Sequence, residues 1–332
     1  MEQRICRFGV IAIAVSVGAL SIGCGGSNSD SQVSGPGGNG VAANGGQPNI
    51  NVPSGDGGTT SGTGDGGVAL STTLPAGFTA ANMLGGFMVG APITGTDTGG
   101  SGGTGGSDGS TTTNGCGTTI LAVIRDFQAD GKNFEGQTGD DRGMVEPMLG
   151  TDRKPVWAHT TPTKTVADPT QLDSWYRNVD GLNKPFTMNF WFQPNNGVSS
   201  FESTEFFPLD GLGWGNDGLD DEKPPVKRNF HFTTEIHTAF KYNGGEKFNF
   251  TGDDDVWVFI NNQLAIDLGG VHSAETASVD VDMQASTLGL TVGQVYPFDM
   301  FQNERHTTQS NFRADTDLAF VNCGTIVPDG PK

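Results

Sequence analysis

The chain has little positive charge. Its 332 residues include 18 Lys and Arg against 37 Asp and Glu, which gives a formal net charge of −19. No Lys or Arg occurs between Arg7 and Arg125. So acidic a chain argues against nucleic acid or an anionic membrane surface as a partner, because both are negatively charged. It is compatible with partners that are cations or neutral glycans.

Long apolar runs are also missing. The one candidate, Phe8 to Ile22, has 15 residues, whereas a membrane-spanning helix needs about 20. Arg4 and Arg7 precede the run and a small residue follows it, a pattern typical of a secretory signal. The end of the run, Leu20-Ser21-Ile22-Gly23-Cys24, resembles a bacterial lipoprotein box.

Residues 1–24 are therefore predicted to be a lipoprotein-type signal peptide, with Cys24 lipidated. The alternative is an ordinary secretory signal in which Cys24 is incidental. The prediction places the protein in the bacterial cell envelope, as a surface-exposed outer-membrane lipoprotein or in secreted form. Contact with a membrane would then be through the N-terminal lipid only.

Basic and aromatic residues are almost absent from residues 25–115, where 28 of 91 residues are Gly. This composition cannot bury enough apolar surface to offset the entropy lost on ordering, so we predict a disordered Gly/Ser/Thr-rich linker. One more apolar island, residues 70–93, could be a short docking segment. Its Gly and Thr content favours a mostly disordered patch.

All five Trp and 26 of the 29 aromatic residues follow residue 115, so residues 116–323 are predicted to form the globular domain, followed by a tail at 324–332. Of the four cysteines, Cys6 and Cys24 lie in the leader, and Cys116 and Cys323 bracket the domain. In an exported protein this pair predicts a disulfide closing the ends of the fold, with two free thiols as the alternative.

Short strand signals dominate the domain. They include the runs 119–124, 186–192, 248–250, 256–260, 264–268, 288–296 and 317–321, with one brief helix near 172–178. From 230 to 240 the even positions Phe230, Phe232, Ile236 and Phe240 are apolar, which predicts one buried and one solvated face. Asn261-Asn262 predicts a two-residue hairpin turn. Many short strands with Gly, Pro and Asn turns indicate a two-sheet β-sandwich.

Motifs for several catalytic classes are missing. The chain contains no Gly-x-Ser-x-Gly elbow and no His-Glu-x-x-His arrangement. His231, Glu235 and His237 share one face of a predicted strand, but their spacing is too long for one zinc ion. Carboxylates are abundant, as in glycosidases, yet nothing in the sequence places two across a cleft. We therefore expect a protein that is not an enzyme.

Three carboxylates, Asp253 to Asp255, stand directly before the apolar run 256–260. Adjacent ionised carboxylates repel by roughly 4 kcal/mol at about 4 Å and an effective dielectric near 20. A bound Ca²⁺, which takes six to eight oxygen ligands, would relieve this repulsion. Asp267 and His272 follow the next hairpin and could line the same end of the sandwich, although hydrogen bonds within the Gly269-Gly270 loop explain them equally well.

A second acidic segment, residues 210–222, has the composition of a calcium loop without its spacing. A solvated loop is the simpler interpretation. Trp214 within it could stack on a sugar ring or anchor the core.

Residues 125–318 resemble the bacterial fibro-slime domain. The resemblance is carried by Arg125-Asp126-Phe127, Gly143-Met144-Val145, Trp175-Tyr176, Phe206 to Gly211, Asn229 to Thr233, Gly252 to Ile260, Ile266 to His272 and Glu304-Arg305-His306. Residues 250–267 and 293–297 are also similar to the wider protective-antigen-type (PA-fourteen) sandwich, which includes calcium-dependent adhesin lectins. The resemblance implies an all-β, jelly-roll-like antiparallel sandwich.

In those adhesins two Asp residues joined by a cis peptide hold Ca²⁺, and the ion chelates sugar hydroxyls. The resemblance places this pair at Asp253-Asp254 and leaves the role of Asp255 open. Asn303 or Glu304 takes the place of a further ligand. The residues of the sugar-binding loops would be Trp214, Asn303, Glu304, Arg305, His306 and Asn311, and the metal ligands Asp253, Asp254, Asp255, Asp267 and Asn303.

The expected function is therefore a surface-anchored, calcium-dependent module that binds extracellular glycans in adhesion or slime. One alternative is a structural matrix protein that calcium makes rigid without sugar binding. A secreted glycoside hydrolase is the other.

Overall fold

A computed structural model of the protein describes residues 74–81, 84–93 and 118–328. The predicted signal peptide, Cys24, Cys116 and the rest of the linker lie outside these residues. Over the described ranges, no helix is both long and apolar enough to cross a membrane.

Eighteen strands, two one-turn α-helices and one 3₁₀ turn make up the described part of the chain. The elements are β1 Thr79–Ala80, β2 Gly86–Pro92, β3 Thr119–Phe127, β4 Gly139–Asp140, the 3₁₀ turn Pro169–Gln171, α1 Leu172–Trp175, β5 Asn183–Trp191, β6 Gln193–Asn195, β7 Val198–Ser203, β8 Gly218–Leu219, β9 Lys227–Arg228, β10 Phe232–Lys241, β11 Lys247–Gly252, β12 Val256–Ile260, β13 Gln263–Leu268, β14 Gly270–Val271, β15 Glu275–Asp280, α2 Val281–Gln284, β16 Val295–Glu304, β17 Phe312–Thr316 and β18 Ala319–Phe320.

The strands form the predicted two-sheet antiparallel sandwich. One sheet has the order β1-β2-β5-β3-β10-β16-β12-β13, with β18 also paired to β10, and the other has the order β15-β11-β17-β7-β6. Two further pairs, β4 with β14 and β8 with β9, lie in the loops. In the first sheet, β16 lies between β10 and β12, so the end of β16 reaches the acidic residues that precede β12.

The core between the sheets is rich in phenylalanine. Phe190 stacks near Phe206 and Phe312, with ring centroids 5.9 Å and 5.2 Å away. From the larger sheet, Phe232 and Val258 point into this core. Aromatic side chains bury a large apolar area each, and this stabilises the sandwich.

The outer face of the larger sheet is buried as well, so the prediction of a solvated face on 230–240 is wrong. His231, Glu235 and His237 are each at most 2% exposed. Residues 127–176 fold over this face and build a second apolar core, to which β12 contributes Trp257 and Phe259. Glu235 and His237 of β10 are buried beneath that cover.

The apolar island before the domain is part of the sheet, so the prediction of disorder throughout 25–115 is wrong for residues 74–81 and 84–93. β2 pairs with β5 and extends the larger sheet, and the Leu84 carbonyl accepts a hydrogen bond of 3.0 Å from the Glu202 amide of the other sheet. Phe87 packs edge-on against Phe206 at 6.2 Å. The edge of the larger sheet provides the backbone and apolar partners that the residues of this segment cannot provide for one another.

The turn after β12 and the start of β16 were also predicted from the sequence. Asn261 and Asn262 adopt φ of 52° and 62° between β12 and β13, which confirms the hairpin turn. The predicted strand at 288–296 is wrong for most of its length, because β16 begins only at Val295 and Gly289 and Gly293 turn the chain with positive φ.

No disulfide forms at Cys323 in the described structure. Its carbonyl accepts a hydrogen bond of 2.7 Å from the Leu121 amide, which places it against the start of the domain. Cys116 lies outside the described residues, so the disulfide between them remains a prediction.

Candidate functional site

The acidic run lies where β12 and β16 meet. The peptide bond between Asp253 and Asp254 is cis, as the resemblance implies. The Asp254 amide donates to the Asn303 carbonyl at 2.9 Å, and the Asn303 amide donates to the Asp255 carbonyl at 3.0 Å. This backbone pairing fixes Asp253 and Asp254 beside Glu304, the last residue of β16.

Asp253 and Asp254 are buried and held by donors from neighbouring loops. Asp253 accepts hydrogen bonds from the Asn311 amide at 2.5 Å and the Asn311 side chain at 2.7 Å. Asp254 accepts from the amides of His272 at 3.1 Å and Arg305 at 2.9 Å. These donors orient both carboxylates, and none of them is a cationic side chain.

None of these donors forms a hydrogen bond with the carboxylate of Glu304. It is 0% exposed, and neither of its carboxylate oxygens accepts a hydrogen bond of ordinary geometry within the described structure. The Ser310 hydroxyl and the His306 amide lie close enough to favour its charged form only weakly. A buried carboxylate without partners is costly unless a proton or a cation joins it.

The three carboxylates oppose one another's ionisation. Burial and the charges of Asp254 and Asp253 raise the pKa of Glu304 well above its usual range. Burial, together with the charges of its neighbours, also raises the pKa of Asp254 well above its usual value, and burial raises the pKa of Asp253. A cation at this position would reverse the effect, because it favours the ionised form of each carboxylate.

A cavity of about 420 Å³ opens over Asp253 and Asp254. Its other lining residues are Thr138, Gly139, Val271, His272, Ser273, His306, Thr307, Thr308 and Gln309. Hydroxyl, imidazole and amide groups thus surround the two carboxylates. The volume is in the range of pockets that bind small ligands.

Of the predicted site residues, Asp255 and Arg305 have a different role. Both are 0% exposed, and the Arg305 guanidinium donates to the two Asp255 oxygens at 2.6 Å and 3.0 Å. Asp255 also accepts from the Gly270 amide at 2.6 Å and from Asn303 Nδ2 at 3.0 Å. The oxygens of Asp255 are therefore taken up inside the protein, and Arg305 does not reach the cavity.

Asn303, Asp267 and Trp214 also lie away from the cavity lining. Asn303 accepts a short hydrogen bond from the Tyr176 hydroxyl. Asp267 accepts from Trp257 Nε1 at 3.1 Å and from the amides of Gly143 and Gly269 at 2.7 Å and 3.0 Å.

Trp214 is 39% exposed, and the Lys184 ammonium stands 3.7 Å from its ring centroid. The structure thus brings together Asp253, Asp254, Glu304, His306 and Asn311 from the predicted set.

The second acidic segment is neutralised from within. Arg228 forms ion pairs with Glu205, Asp210, Asp220 and Glu222, at 3.6, 3.1, 3.0 and 3.1 Å. These carboxylates therefore share one guanidinium as their counter-ion.

Glu135 and His231, which sequence reasoning did not connect with the site, support one wall of the cavity. The Thr307 amide donates to Glu135 at 2.9 Å, and His306 Nε2 lies 3.3 Å from the other Glu135 oxygen. Glu135 in turn contacts His231 at 3.3 Å, and His231 contacts Asp217 at 2.7 Å. No local pattern could link these residues, because they come from three distant segments.

The carboxylates near the cavity do not form a ready-made metal site. Within the described ranges, no three His, Cys, Asp or Glu side chains are grouped as they would be around a metal ion of any kind. The unpartnered oxygens of Glu304, beside two carboxylates, are instead the kind of oxygen donors that Ca²⁺ takes. Residues Asp253, Asp254 and Glu304 would hold the ion.

Comparison with known proteins finds similarity to the PA14 domain. The family model of the PA14 domain matches residues 178–328. The matched segment contains Asp253, Asp254, Glu304 and all of the larger core strands except β2 and β3. It begins after residues 127–176, which cover the outer face of the larger sheet.

Curated relatives are found in Dictyostelium discoideum. Protein psiR is 39% identical over 220 residues, 62% of this chain and 21% of its own length. Protein psiB is 43% identical over 242 residues, 64% of this chain and 42% of its own length. The chain thus spans well under half of the length of these relatives. They are not bacterial, so they do not confirm the resemblance to a bacterial fibro-slime domain.

Among solved structures, the PA14 domain of the MpAFP antifreeze protein aligns with 68% of this chain and 99% of its own. The sequence identity is 10% and the TM-score is 0.26.

Proposed function

We propose that the domain binds Ca²⁺ through Asp253, Asp254 and Glu304 and uses the ion to hold extracellular carbohydrate. The observation that carries the proposal is Glu304, a fully buried carboxylate whose oxygens have no hydrogen-bond partner within the described structure. A divalent cation would offset two of the three negative charges and give both Glu304 oxygens a ligand role.

The cavity supports a polar ligand. A sugar entering it would meet the side chains of Thr138, His272, Ser273, His306 and Gln309, which can donate or accept hydrogen bonds. With the ion bound, its remaining coordination positions would favour vicinal hydroxyl groups as ligands. The PA14 match supports this reading, since that family is often linked to carbohydrate binding or adhesion.

The wider setting of the proposal is a bacterial fibro-slime protein. It would be exported, held at the cell surface by lipidated Cys24 and displayed on the linker. Its role would be attachment to cell-surface or matrix glycans rather than catalysis.

The test is a glycan array probed with the full chain in Ca²⁺ and then in chelator. We expect binding in Ca²⁺ that is lost in chelator and in the double variant Asp253→Asn, Asp254→Asn. The matched control is Asp173→Asn, which removes an exposed carboxylate of α1 that does not line the cavity, and it should bind like the wild type. Binding that is unaffected by chelator would overturn the proposed role of the ion.

Two other functions would give different results. In a structural matrix protein, Ca²⁺ would raise the melting temperature while every glycan remained unbound. In a glycoside hydrolase, the wild-type chain would release reducing sugar from a polysaccharide.

A further inference from the structure

A lysine lies fully buried in the second core, far along the chain from the acidic site. Lys154 is 0% exposed, and its Nζ atom makes a very short contact with Oε1 of Glu235. Glu235, on β10, is 1% exposed. Lysine is among the residues that are almost never fully buried unless they are paired.

The side chain of Asn178 meets the same group of residues. Arg125 Nε donates to Asn178 Oδ1 at 2.9 Å, and Arg125 Nη1 donates to Glu235 Oε2 at 2.6 Å. One carboxylate oxygen of Glu235 therefore contacts Lys154. The other accepts from Arg125, whose guanidinium also donates to Asn178.

Neighbouring residues bring the two segments together. Arg177, next to Asn178, forms an ion pair of 2.6 Å with Asp152, two residues before Lys154. The loop containing Lys154 and the turn after α1 therefore lie side by side, next to the Arg125–Glu235 ion pair.

We infer that Lys154 and Asn178 form an intramolecular isopeptide bond, made by the folded protein itself with Glu235 as the catalytic residue. An amine nucleophile, a side-chain amide and a carboxylate positioned to move protons are the three groups that the reaction requires. Lys154 and Glu235 are shielded from water, and Asn178 lies at the exposed edge of the same group.

The proposed reaction is balanced without any co-reactant. Glu235 accepts a proton from the Lys154 ammonium, and the neutral Nζ attacks Cγ of Asn178. The Arg125 N–H that already bonds to Asn178 Oδ1 stabilises the negative charge that develops on that oxygen. Glu235 then delivers this proton to Nδ2, the Cγ–Nδ2 bond breaks and ammonia leaves. As the Nζ–Cγ amide forms, Glu235 accepts the second Nζ proton and passes it to the departing ammonia, which leaves as ammonium.

The surroundings favour this product over a permanent ion pair. Burial opposes the ionisation of Glu235, but the charges of Lys154, Arg125 and His237 hold its pKa well below its usual range. Once protonated, Glu235 therefore gives its proton up readily, which suits the transfer to Nδ2. Conversion of the ammonium to an amide also removes one buried positive charge, whose desolvation is costly. Asn178 is on the exposed side of the group, which gives ammonia a path to solvent.

Mass spectrometry of the denatured and trypsin-digested full chain tests the inference. Because trypsin cleaves after Arg153 and Arg177 and not before proline, peptides 154–164 and 178–227 should appear joined, at their summed mass less one ammonia. In the variants Asn178→Ala and Glu235→Gln the two peptides should separate at their calculated masses. The matched control is Lys247→Arg, which changes an exposed lysine and should leave the joined peptide intact.

Separate, unmodified peptides from the folded wild-type protein would overturn the inference and identify an ion cluster only. Asn178→Ala keeps the test informative if changes at Glu235 prevent folding, because it alters a surface position and leaves no buried charge unpaired. A joined peptide that persists in Asn178→Ala would equally contradict the assignment.

Discussion

Asp255 and Glu304 are both buried carboxylates, but they differ in their hydrogen-bond partners. Asp255 is matched by Arg305, by Asn303 and by a backbone amide. Glu304, one residue before Arg305, accepts no such bond within the described structure. The charge of Asp255 is thus compensated within the protein. The carboxylate of Glu304 would need a proton or a cation.

Replacement of Arg305 by Met should be strongly destabilising. Asp255 would remain buried without its counter-ion, and such a loss costs about 3–5 kcal/mol. Urea unfolding of the wild type and variant measures the difference.

The control for this change is Arg142→Met, which removes a partly exposed ion pair with Glu275. Such pairs contribute only about 0–1 kcal/mol. A loss of similar size in both variants would contradict the role given to Arg305.

The Glu135–His231 contact predicts a defined pH dependence of stability. Burial alone would lower the pKa of His231, but hydrogen bonds and charges from Asp217 and Glu135 raise it to about 9. Burial would raise the pKa of Glu135, but His231 and the Thr307 amide lower it to about 2.

The stabilisation from His231 should be complete below its unfolded pKa of 6.5 and disappear as pH rises through about 9. That from Glu135 should be complete above 4.5 and disappear as pH falls through about 2. Unfolding free energies of wild type and His231→Gln should therefore differ most between pH 4.5 and 6.5. A difference that is constant from pH 5 to pH 10 would rule out the charged histidine.

At the level of elements, the strands that could be predicted are those whose apolar pattern is local. The run 256–260, the Asn-Asn hairpin and the apolar even positions of β10 are each readable from neighbouring residues. The burial of Glu235 and His237 is not, because the cover comes from residues 127–176, which have few regular elements. The role of Glu304 was similarly ambiguous, since only the pairing of β16 with the acidic run decides between it and Asn303.

The pairing of β2 with β5 predicts that the segment before the domain contributes to stability. Phe87→Asp would place a carboxylate against Phe206 and should cost about 1–3 kcal/mol. Ala91→Asp, at an exposed position of the same strand, is the matched control and should change stability by about 0.5 kcal/mol or less. Equal and negligible effects of the two changes in thermal unfolding would show that β2 does not hold the sheet edge.

For the whole molecule, two different clusters of charged residues lie on the larger sheet. One end of the larger sheet carries three mutually repelling carboxylates under an open cavity, and the outer face carries a paired ionic cluster under a second core. The net charge of −19 adds a long-range field that attracts cations toward the first of these. Composition alone predicted a cation-compatible protein, whereas the position of the ligand set required the fold.

The most direct test of this account is a calcium titration followed by isothermal calorimetry on the purified, metal-stripped full chain. The account predicts saturable uptake of Ca²⁺ that is lost in Glu304→Gln and retained in Asp173→Asn, with a rise in melting temperature in the two proteins that bind. Absence of any heat of binding in the wild type, or equal uptake by Glu304→Gln, would contradict the assignment of Asp253, Asp254 and Glu304 as a cation site.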